Sequence, residues 1–532
     1  MSTELRASHG EGNAGFDDAA GWAASPVAWL LLALACAVVV RLPWLPYSVI
    51  DWDESTFALM GDSLLRGHLP YAEMWENKPP LIFVCFALIQ LVFGKSIIAI
   101  RATGIVLVAL AAWLSAMTAR RAFGLGRWSL MAIIPIVAAG TIAPGSGALM
   151  SEHLAIVFLT ATLYLLSAER FDAVRGFLVG LCASLAVLTR TNLAYPALLI
   201  GVAMLLLPLA PRTSRPRFIA ATVTGGLLPL ALLLYLYRDA VDLLYRAAVL
   251  SPLASTEGNR PFTGAWFRVA GDLVLALGRP AILPVVLGVL IGIGFLARGA
   301  VPSLPGRRMA VILLLGWLGC FVGISAGRRV SGHYLIQLLP FMAPVFGLAV
   351  AGLARRWQAR PRLAVSLVMA WWGVPVTAAY VGHARRLAVG MPLWSDRATN
   401  VTRYLDAAGA RGEVLFLADA HIAYWLLDAK VPTRNIHPSN LGRVEMMRAL
   451  EGPEWTTCGE FVAIFAQRPR FVALPLHGPT RWDATASACL QAQLEADYQP
   501  DRVIDQVLIY RRRELNAPSA AEGAPAPVAG SR

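Results

Sequence analysis

Charge is scarce in this chain. Only 15% of its 532 residues are Asp, Glu, Lys or Arg, against about 25% in a soluble domain. Hydrophobic residues make up 57%, and mean hydropathy is +0.59. These values exclude a large soluble enzyme and imply a polytopic membrane protein with some soluble mass. Cysteine is scarce as well. Six occur, none at CxxC or CxxH spacing, which removes a zinc or dithiol framework. Cys36, Cys182 and Cys320 lie in apolar runs and Cys85 in an amphipathic one, where thiols pack as small hydrophobes. Cys458 and Cys489 lie in the polar C-terminal part and can pair if that part faces an oxidising compartment. No Walker or dinucleotide glycine motif occurs, so nothing marks a nucleotide site. The net charge is +13, yet no basic block interleaved with aromatics is present, and nucleic acid is not expected as a partner.

The excess positive charge is mostly arginine set between apolar runs, where it orients helices. Hydropathy predicts a mainly α, polytopic helix bundle of about 11 spans. The first runs from about Pro26 to Leu45 and reads as a retained anchor, because no basic n-region precedes it. The others fall near residues 97–118, 128–144, 153–168, 174–189, 192–210, 217–237, 281–298, 309–326, 333–353 and 362–381. Alternate loops carry fifteen arginines, from Arg120, Arg121 and Arg127 through Arg355, Arg356, Arg360 and Arg362. The loops between them carry few: Arg190, Arg328 and Arg329. The positive-inside rule then puts the N-terminus in the cytoplasm and the C-terminal part outside, as expected of a multi-pass inner-membrane protein. The expected organisation is a disordered tail at 1–25, a transmembrane region at 26–381 with its first external loop at 46–96, an α/β extracytoplasmic domain at 382–515, and a disordered tail at 516–532. Within the α/β domain, helices are expected over Val401–Ala408 and His421–Leu427 and strands over 413–417, 471–474 and 507–510.

The first external loop concentrates the chemistry. Residues 46–80 form a polar stretch of about 35 residues, against a usual connection of about 4–6. Asp51, Asp53 and Glu54 stand at its start, and Lys78 before Pro79-Pro80 at its end. Phe57, Met60, Leu64 and Leu65 recur at helical spacing, which predicts a short helix lying along the membrane interface. Leu81 to Phe93 is apolar but reaches only about 20 Å as a helix, short of the ~30 Å hydrocarbon core. It is expected beside the membrane rather than across it. Glu152 falls on the same side at the start of a span, where ionisable residues are functional by default, and Arg190 adds a cation there. Facing carboxylates and fixed cations suit a reaction in which a hydroxyl or amine loses a proton and a phosphate departs.

Each of these residues also has a plainer reading. Asp53 and Glu54 could be solvated loop acids that cap a helix, and Lys78 could snorkel to the interface. His333 could be an interfacial histidine bonded at a helix start. Arg328 and Arg329 could anchor anionic headgroups. Trp52 and Trp75 read as interfacial belt residues ahead of sugar platforms.

Together the motifs resemble a family. Asp53-Glu54, an amphipathic helix, Gly67-His68-Leu69-Pro70-Tyr71, Lys78-Pro79-Pro80-Leu81, Phe93-Gly94 and Arg101 resemble the first external loop of family-39-type integral membrane glycosyltransferases. That group has the GT-C fold and includes protein O-mannosyltransferases and the lipid A aminoarabinose transferase. The resemblance continues through Glu152-His153 and Leu188-Thr189-Arg190, and reappears at Arg328 with His333-Tyr334, Gln337 and Pro340. It covers roughly residues 27–350, while the C-terminal domain matches only in position and general class. The resemblance implies transfer of a sugar from a polyprenyl-phosphate-linked donor to a lipid, glycan or protein acceptor, with inversion. Asp53 would be general base, and Glu54 would orient it or share the role. Lys78 and, by position, Arg190 would hold the donor phosphate. Glu152 would position donor or acceptor, and Arg328, His333 and Tyr334 would line the carrier or sugar site. Some relatives of the aminoarabinose type bind a metal near the site. No constellation here commits to one, so no metal ligand is assigned and a divalent metal stays open. The rival expectation is a transporter or flippase of a lipid-linked glycan, which should carry inverted repeats and midplane charge. A third is a non-catalytic subunit of an envelope complex.

Overall fold

A computed structural model of the chain describes residues 25–142, 147–207, 214–257, 262–299, 301, 303–327, 331–356, 361–476 and 482–513. Most of the two expected tails, and Arg328 and Arg329 with them, lie outside the described residues.

The described residues of the eleven expected spans lie mainly on helical segments. Among the described residues, five helices are long and apolar enough to cross a membrane: Pro26–Trp44, Ile97–Phe123, Arg215–Leu236, Leu304–Ala326 and Gly332–Arg356. Shorter apolar helices stand among them, including Ser151–Leu166, Ala173–Thr189 and Leu283–Ala297. This is a multi-pass, mainly helical membrane protein. The starts of the long helices are set by local chemistry. Ser25 caps α1 (Pro26–Arg41) by accepting from Ala28 N, and Ser96 caps α4 (Ile97–Phe123) by accepting from Ala99 N, each satisfying an amide that the helix leaves free. Gly124 ends α4 at a φ of 62°, the left-handed conformation that glycine adopts without strain.

Gly332–Arg356 is the centre of the bundle. It is apolar all round, and 94% of its most apolar stretch is buried, as expected of a helix surrounded by protein. Close crossings need small residues. A Cβ on Gly225 would lie 2.0 Å from the Phe177 carbonyl oxygen, and one on Gly180 1.9 Å from that of Thr222. These glycines let Ala173–Thr189 and Arg215–Leu236 touch backbone to backbone. A Gly225→Leu substitution should lower stability by about 1–3 kcal/mol, the usual cost of overpacking, read as a lower thermal midpoint of the protein in detergent.

The two ends of the bundle differ in kind. At one, Arg120 lies over the Trp29 ring at 5.0 Å and Arg121 donates to the Tyr164 hydroxyl at 2.7 Å. At the other stand Arg41, Arg101, Glu152, Arg190 and His333, all buried. Two short helices pack at that second end: α2 (Trp52–Leu65) and α3 (Leu81–Phe93). The short helix expected over this stretch is α2, and its first two turns are buried in protein. Phe57 through Gly61 are all buried. On one side α2 meets α3, where Phe57 packs tilted against Phe83 and edge-on against Phe86 and Gln90 donates to the Ala58 carbonyl. On another it meets the C-terminal domain, where the His421 ring bonds Thr56. Of the apolar residues at helical spacing, Phe57 and Met60 are buried while Leu64 is half-buried and Leu65 exposed, and the C-terminal partner packed on α2 is far away in sequence. α3 keeps an exposed apolar face at Leu88, Leu91, Val92 and Phe93.

The C-terminal domain carries a four-stranded sheet in the order β1-β2-β4-β3. β1 (Leu415–Leu417) runs parallel to β2 (Phe471–Pro475), and β4 (Val507–Arg512) pairs antiparallel with both β2 and β3 (Tyr498–Ile504). Helices Thr457–Ala466 and Ala484–Asp497 cover one face and are joined by a Cys458–Cys489 disulfide. The other face does not close on its own. Leu415, Trp425, Met446 and Phe471 share one apolar core with Phe57, Tyr71 and Trp75, so the domain is seated on the 46–96 stretch. Trp75 is completely buried there, which corrects its expected place in an interfacial belt.

Candidate functional site

The start of α2 builds the site. Asp51, extended at φ −136°, is the residue that caps the helix, accepting from the amide of Asp53. Asp53 and Glu54 therefore occupy the first turn and point in different directions. Glu54 goes inward. Its Oε2 lies 2.6 Å from Arg101 and its Oε1 accepts from Leu149 N at 2.7 Å. Arg101 and Arg41 both donate to the Gly147 carbonyl, and Arg41 also to that of Ala148. Glu54 is thus the core of a buried network that holds the 147–150 segment under the site.

Asp53 faces a cavity of about 1410 Å³ between the bundle end and the C-terminal domain. The two ends of the 46–80 stretch meet here: Lys78 Nζ is 3.2 Å from Asp53 Oδ2. The meeting follows from the intervening turn. Tyr71 adopts a φ of 73° and its hydroxyl donates to the Lys78 carbonyl at 2.6 Å, folding the chain back onto α2. Lys78 also reaches Glu76 Oε1 at 3.3 Å and Asn77 Oδ1 at 3.2 Å. On the other oxygen of Asp53, His437 Nε2 stands 3.4 Å from Oδ1.

Burial opposes the charge on Asp53, but Lys78 and then His437 overcome it and hold its carboxyl well below the usual carboxylate range. Burial likewise disfavours the charge on Lys78, yet Asp53 and Glu76 raise its pKa above that of an ordinary lysine. The pair is therefore ionised on both sides. Asp51 is pushed the other way, upward, by burial and by the neighbouring Asp53. His421, buried beside His437 and close to Trp52, is pushed down to about 3 and stays neutral.

Across the cavity, Arg190 Nη1 is 2.5 Å from Glu152 Oε1, and the Arg190 guanidinium lies 4.7 Å from the centre of the Tyr334 ring. Glu152 is fully buried. His333 sits between the two acid groups, with Nε2 3.8 Å from Glu152 and Nδ1 3.9 Å from Asp51. The structure thus brings Asp53, Lys78, Arg190, His333 and Tyr334 to one cavity wall or another, with Glu152 directly behind Arg190. Glu54 is held beneath that wall by Arg101, and Arg328 lies outside the described residues. As for a metal, Asp53 and Glu152 each face a cation, and among the described residues no three of His, Cys, Asp and Glu converge on a point that could hold an ion. The residues described do not fit a metal site, and no chemistry is routed through one.

Four site residues went unseen in the sequence: Glu76, His421, His437 and Asn440. His437 and Asn440 come from a short 3-10 turn of the C-terminal domain, Pro438–Gly442 with His437 as its cap, too short to show a periodicity in sequence. Glu76 alone carried a signal, as an acid two residues before Lys78.

No protein-family model and no curated protein matches the chain. Solved structures do. The chain is similar to ArnT from Cupriavidus metallidurans bound to undecaprenyl phosphate, with a TM-score of 0.60 and 14% identity over 91% of this chain and 98% of that one. It is similar also to ArnT from the same organism in the apo state, with a TM-score of 0.59 at the same identity and coverage. With its helical bundle, in-loop helices and small C-terminal sheet domain, the chain has the GT-C membrane fold.

Proposed function

We propose that the protein is a membrane glycosyltransferase that moves a sugar from a polyprenyl-phosphate carrier to a hydroxyl or amine of an acceptor. The observation that carries this reading is the ionised Asp53–Lys78 pair at the edge of a cavity whose far wall holds Arg190 and Tyr334. A base and two phosphate-binding cations are what such a displacement requires. In the reaction the acceptor oxygen or nitrogen attacks the anomeric carbon and gives its proton to Asp53. The bond from that carbon to the phosphate oxygen breaks on the opposite side, with inversion, and the departing phosphate takes the electron pair. Lys78 and Arg190 stabilise the charge that develops there. Glu152 orients Arg190, and His333 and Tyr334 line the approach of sugar and carrier. Glu54 supports the wall through Arg101 instead of sharing the proton transfer.

ArnT, similar in fold, is a protein crystallised with undecaprenyl phosphate, which supports a polyprenyl-phosphate partner for this chain. We place the site on the outer face of the inner membrane. The arginines gathered at the other end of the bundle favour that orientation, and the Cys458–Cys489 bond suits an oxidising compartment. The carboxylates Asp53, Glu54 and Glu152 and the cations paired with them gather at the site end of the bundle, whereas a transporter would place such groups near the midplane.

The test is reconstitution. Purified protein in lipid vesicles is supplied with polyprenyl-phosphate sugars and with envelope lipids, glycans and proteins, and the products are read by mass spectrometry. One acceptor class gains the mass of one sugar, and free polyprenyl phosphate is released. Intact donor moving between leaflets with no sugar transferred would overturn the reading in favour of a flippase.

A further inference from the structure

The segment Arg434–Arg443 of the C-terminal domain touches both ends of the 46–80 stretch. Arg434 accepts from Trp75 N through its carbonyl at 2.8 Å and donates to the Tyr71 carbonyl through its side chain at 2.7 Å. Asn440 Nδ2 donates to Glu76 Oε2 at 3.4 Å. His437 Nε2 stands 3.4 Å from Asp53 Oδ1. These contacts form one continuous wall laid over Asp53 and Lys78.

The His437 ring is held in one state by its own loop. The amide of Ser439 donates to Nδ1 at 3.3 Å, and the Ser439 hydroxyl lies 2.8 Å from the same nitrogen. A backbone N–H can only donate. Nδ1 must therefore be the acceptor, and the ring proton sits on Nε2, facing Asp53. The Trp52 and His421 rings pack at 6.0 Å on its sides. Arg443 reaches the Ser439 hydroxyl at 3.5 Å, and Asp51 is the further acid within electrostatic range of the ring.

We propose that His437 is a positioning residue for the transfer reaction: it binds Oδ1 of Asp53 so that Oδ2 is the oxygen presented to the acceptor. The division of the carboxylate supports this. Oδ1 belongs to His437, and Oδ2 is held by Lys78. Lys78 has alternative acceptors in Glu76 and Asn77, so it can turn to an incoming phosphate and leave Oδ2 open. Oδ1 stays engaged throughout. The site is then complete only while the C-terminal domain is seated. The proposal rests on Asp53 being the base.

Three full-length variants test it: Asp53→Asn, His437→Leu and His437→Gln. Glutamine can set an amide N–H close to the position of Nε2. His437→Leu should lower kcat about 10- to 100-fold, the worth of one hydrogen bond to a charged group, with KM for the donor little changed. It should also move the acid limb of kcat to higher pH, because Asp53 loses a donor that favours its anion. His437→Gln should keep kcat within about threefold and the wild-type pH profile, since it restores that one bond. Should the leucine variant fail to fold, His437→Asn takes its place. Its amide stops short of Asp53, and the same loss is expected. If Asp53→Asn is inactive while His437→Leu matches wild type in rate and profile, the inference falls and the base assignment stands. If Asp53→Asn is active, the base assignment itself falls. Equal losses in the leucine and glutamine variants, with an unmoved acid limb, would reduce His437 to a packing role and overturn the proposal.

Discussion

Asp53→Asn should cut the turnover of sugar transfer by about 10²- to 10⁴-fold, the usual contribution of a positioned general base, while leaving the fold in place. Asparagine has the same shape. Its amide oxygen can still accept from His437, and Lys78 keeps Glu76 and Asn77 as partners. The loss is therefore of proton-accepting power alone. The pH dependence carries more information than the loss itself. Burial would weaken the acid Asp53, but Lys78 and His437 hold its carboxyl well below the usual range. A carboxylate so stabilised is a poor base. Arrival of the donor phosphate changes this, because Lys78 is drawn toward the phosphate and the strongest stabiliser of the Asp53 anion is diverted. Burial then dominates, and the pKa of Asp53 rises. The acid limb of kcat/KM, which reports free enzyme, should lie at lower pH than the acid limb of kcat, which reports the donor complex. The order of the two limbs is the result to measure. Coincident limbs would mean that Lys78 does not leave Asp53 during the reaction.

Much of this arrangement was legible from local pattern. The Asp53-Glu54 and Lys78-Pro79-Pro80 motifs sit in one continuous polar connection, and a single turn at Tyr71 brings them together. Apolar periodicity located the helices. What could not be read depended on distant partners. The face that α2 buries is defined by Ile422–Leu426 and by α3, and nothing in residues 52–65 names those partners. β3 escaped because only Tyr498 of its residues is buried, so it has no alternating pattern. Its turn into β4 uses Asp505 and Gln506 at positive φ, without the glycine that usually marks a two-residue hairpin. Glu54 adjoins Asp53 in sequence, which does not say where its side chain goes. Successive helical residues project about 100° apart, and Arg101 holds Glu54 beneath the wall.

Arg190 offers the sharpest separation of fold from function. Arg190→Met should destabilise the protein by about 3–5 kcal/mol, the cost of leaving a buried charge without its partner. Glu152 is fully buried and, among the described residues, keeps only the Ser151 hydroxyl at 3.1 Å and His333 at 3.8 Å as polar neighbours on its oxygens. A lower thermal midpoint and reduced yield in detergent would follow, and activity would fall for that reason alone. Adding Glu152→Gln removes the stranded charge, and the double variant should recover most of the midpoint. Donor use should not recover. If Arg190 holds the phosphate, the double variant remains without that cation, and its KM for the polyprenyl-phosphate sugar stays raised by about tenfold or more, the worth of a charge-assisted hydrogen bond. A double variant that regains both stability and wild-type KM would mean that Arg190 serves Glu152 alone. Phosphate binding would then rest on Lys78, and the reading of the far wall of the cavity would have to be given up.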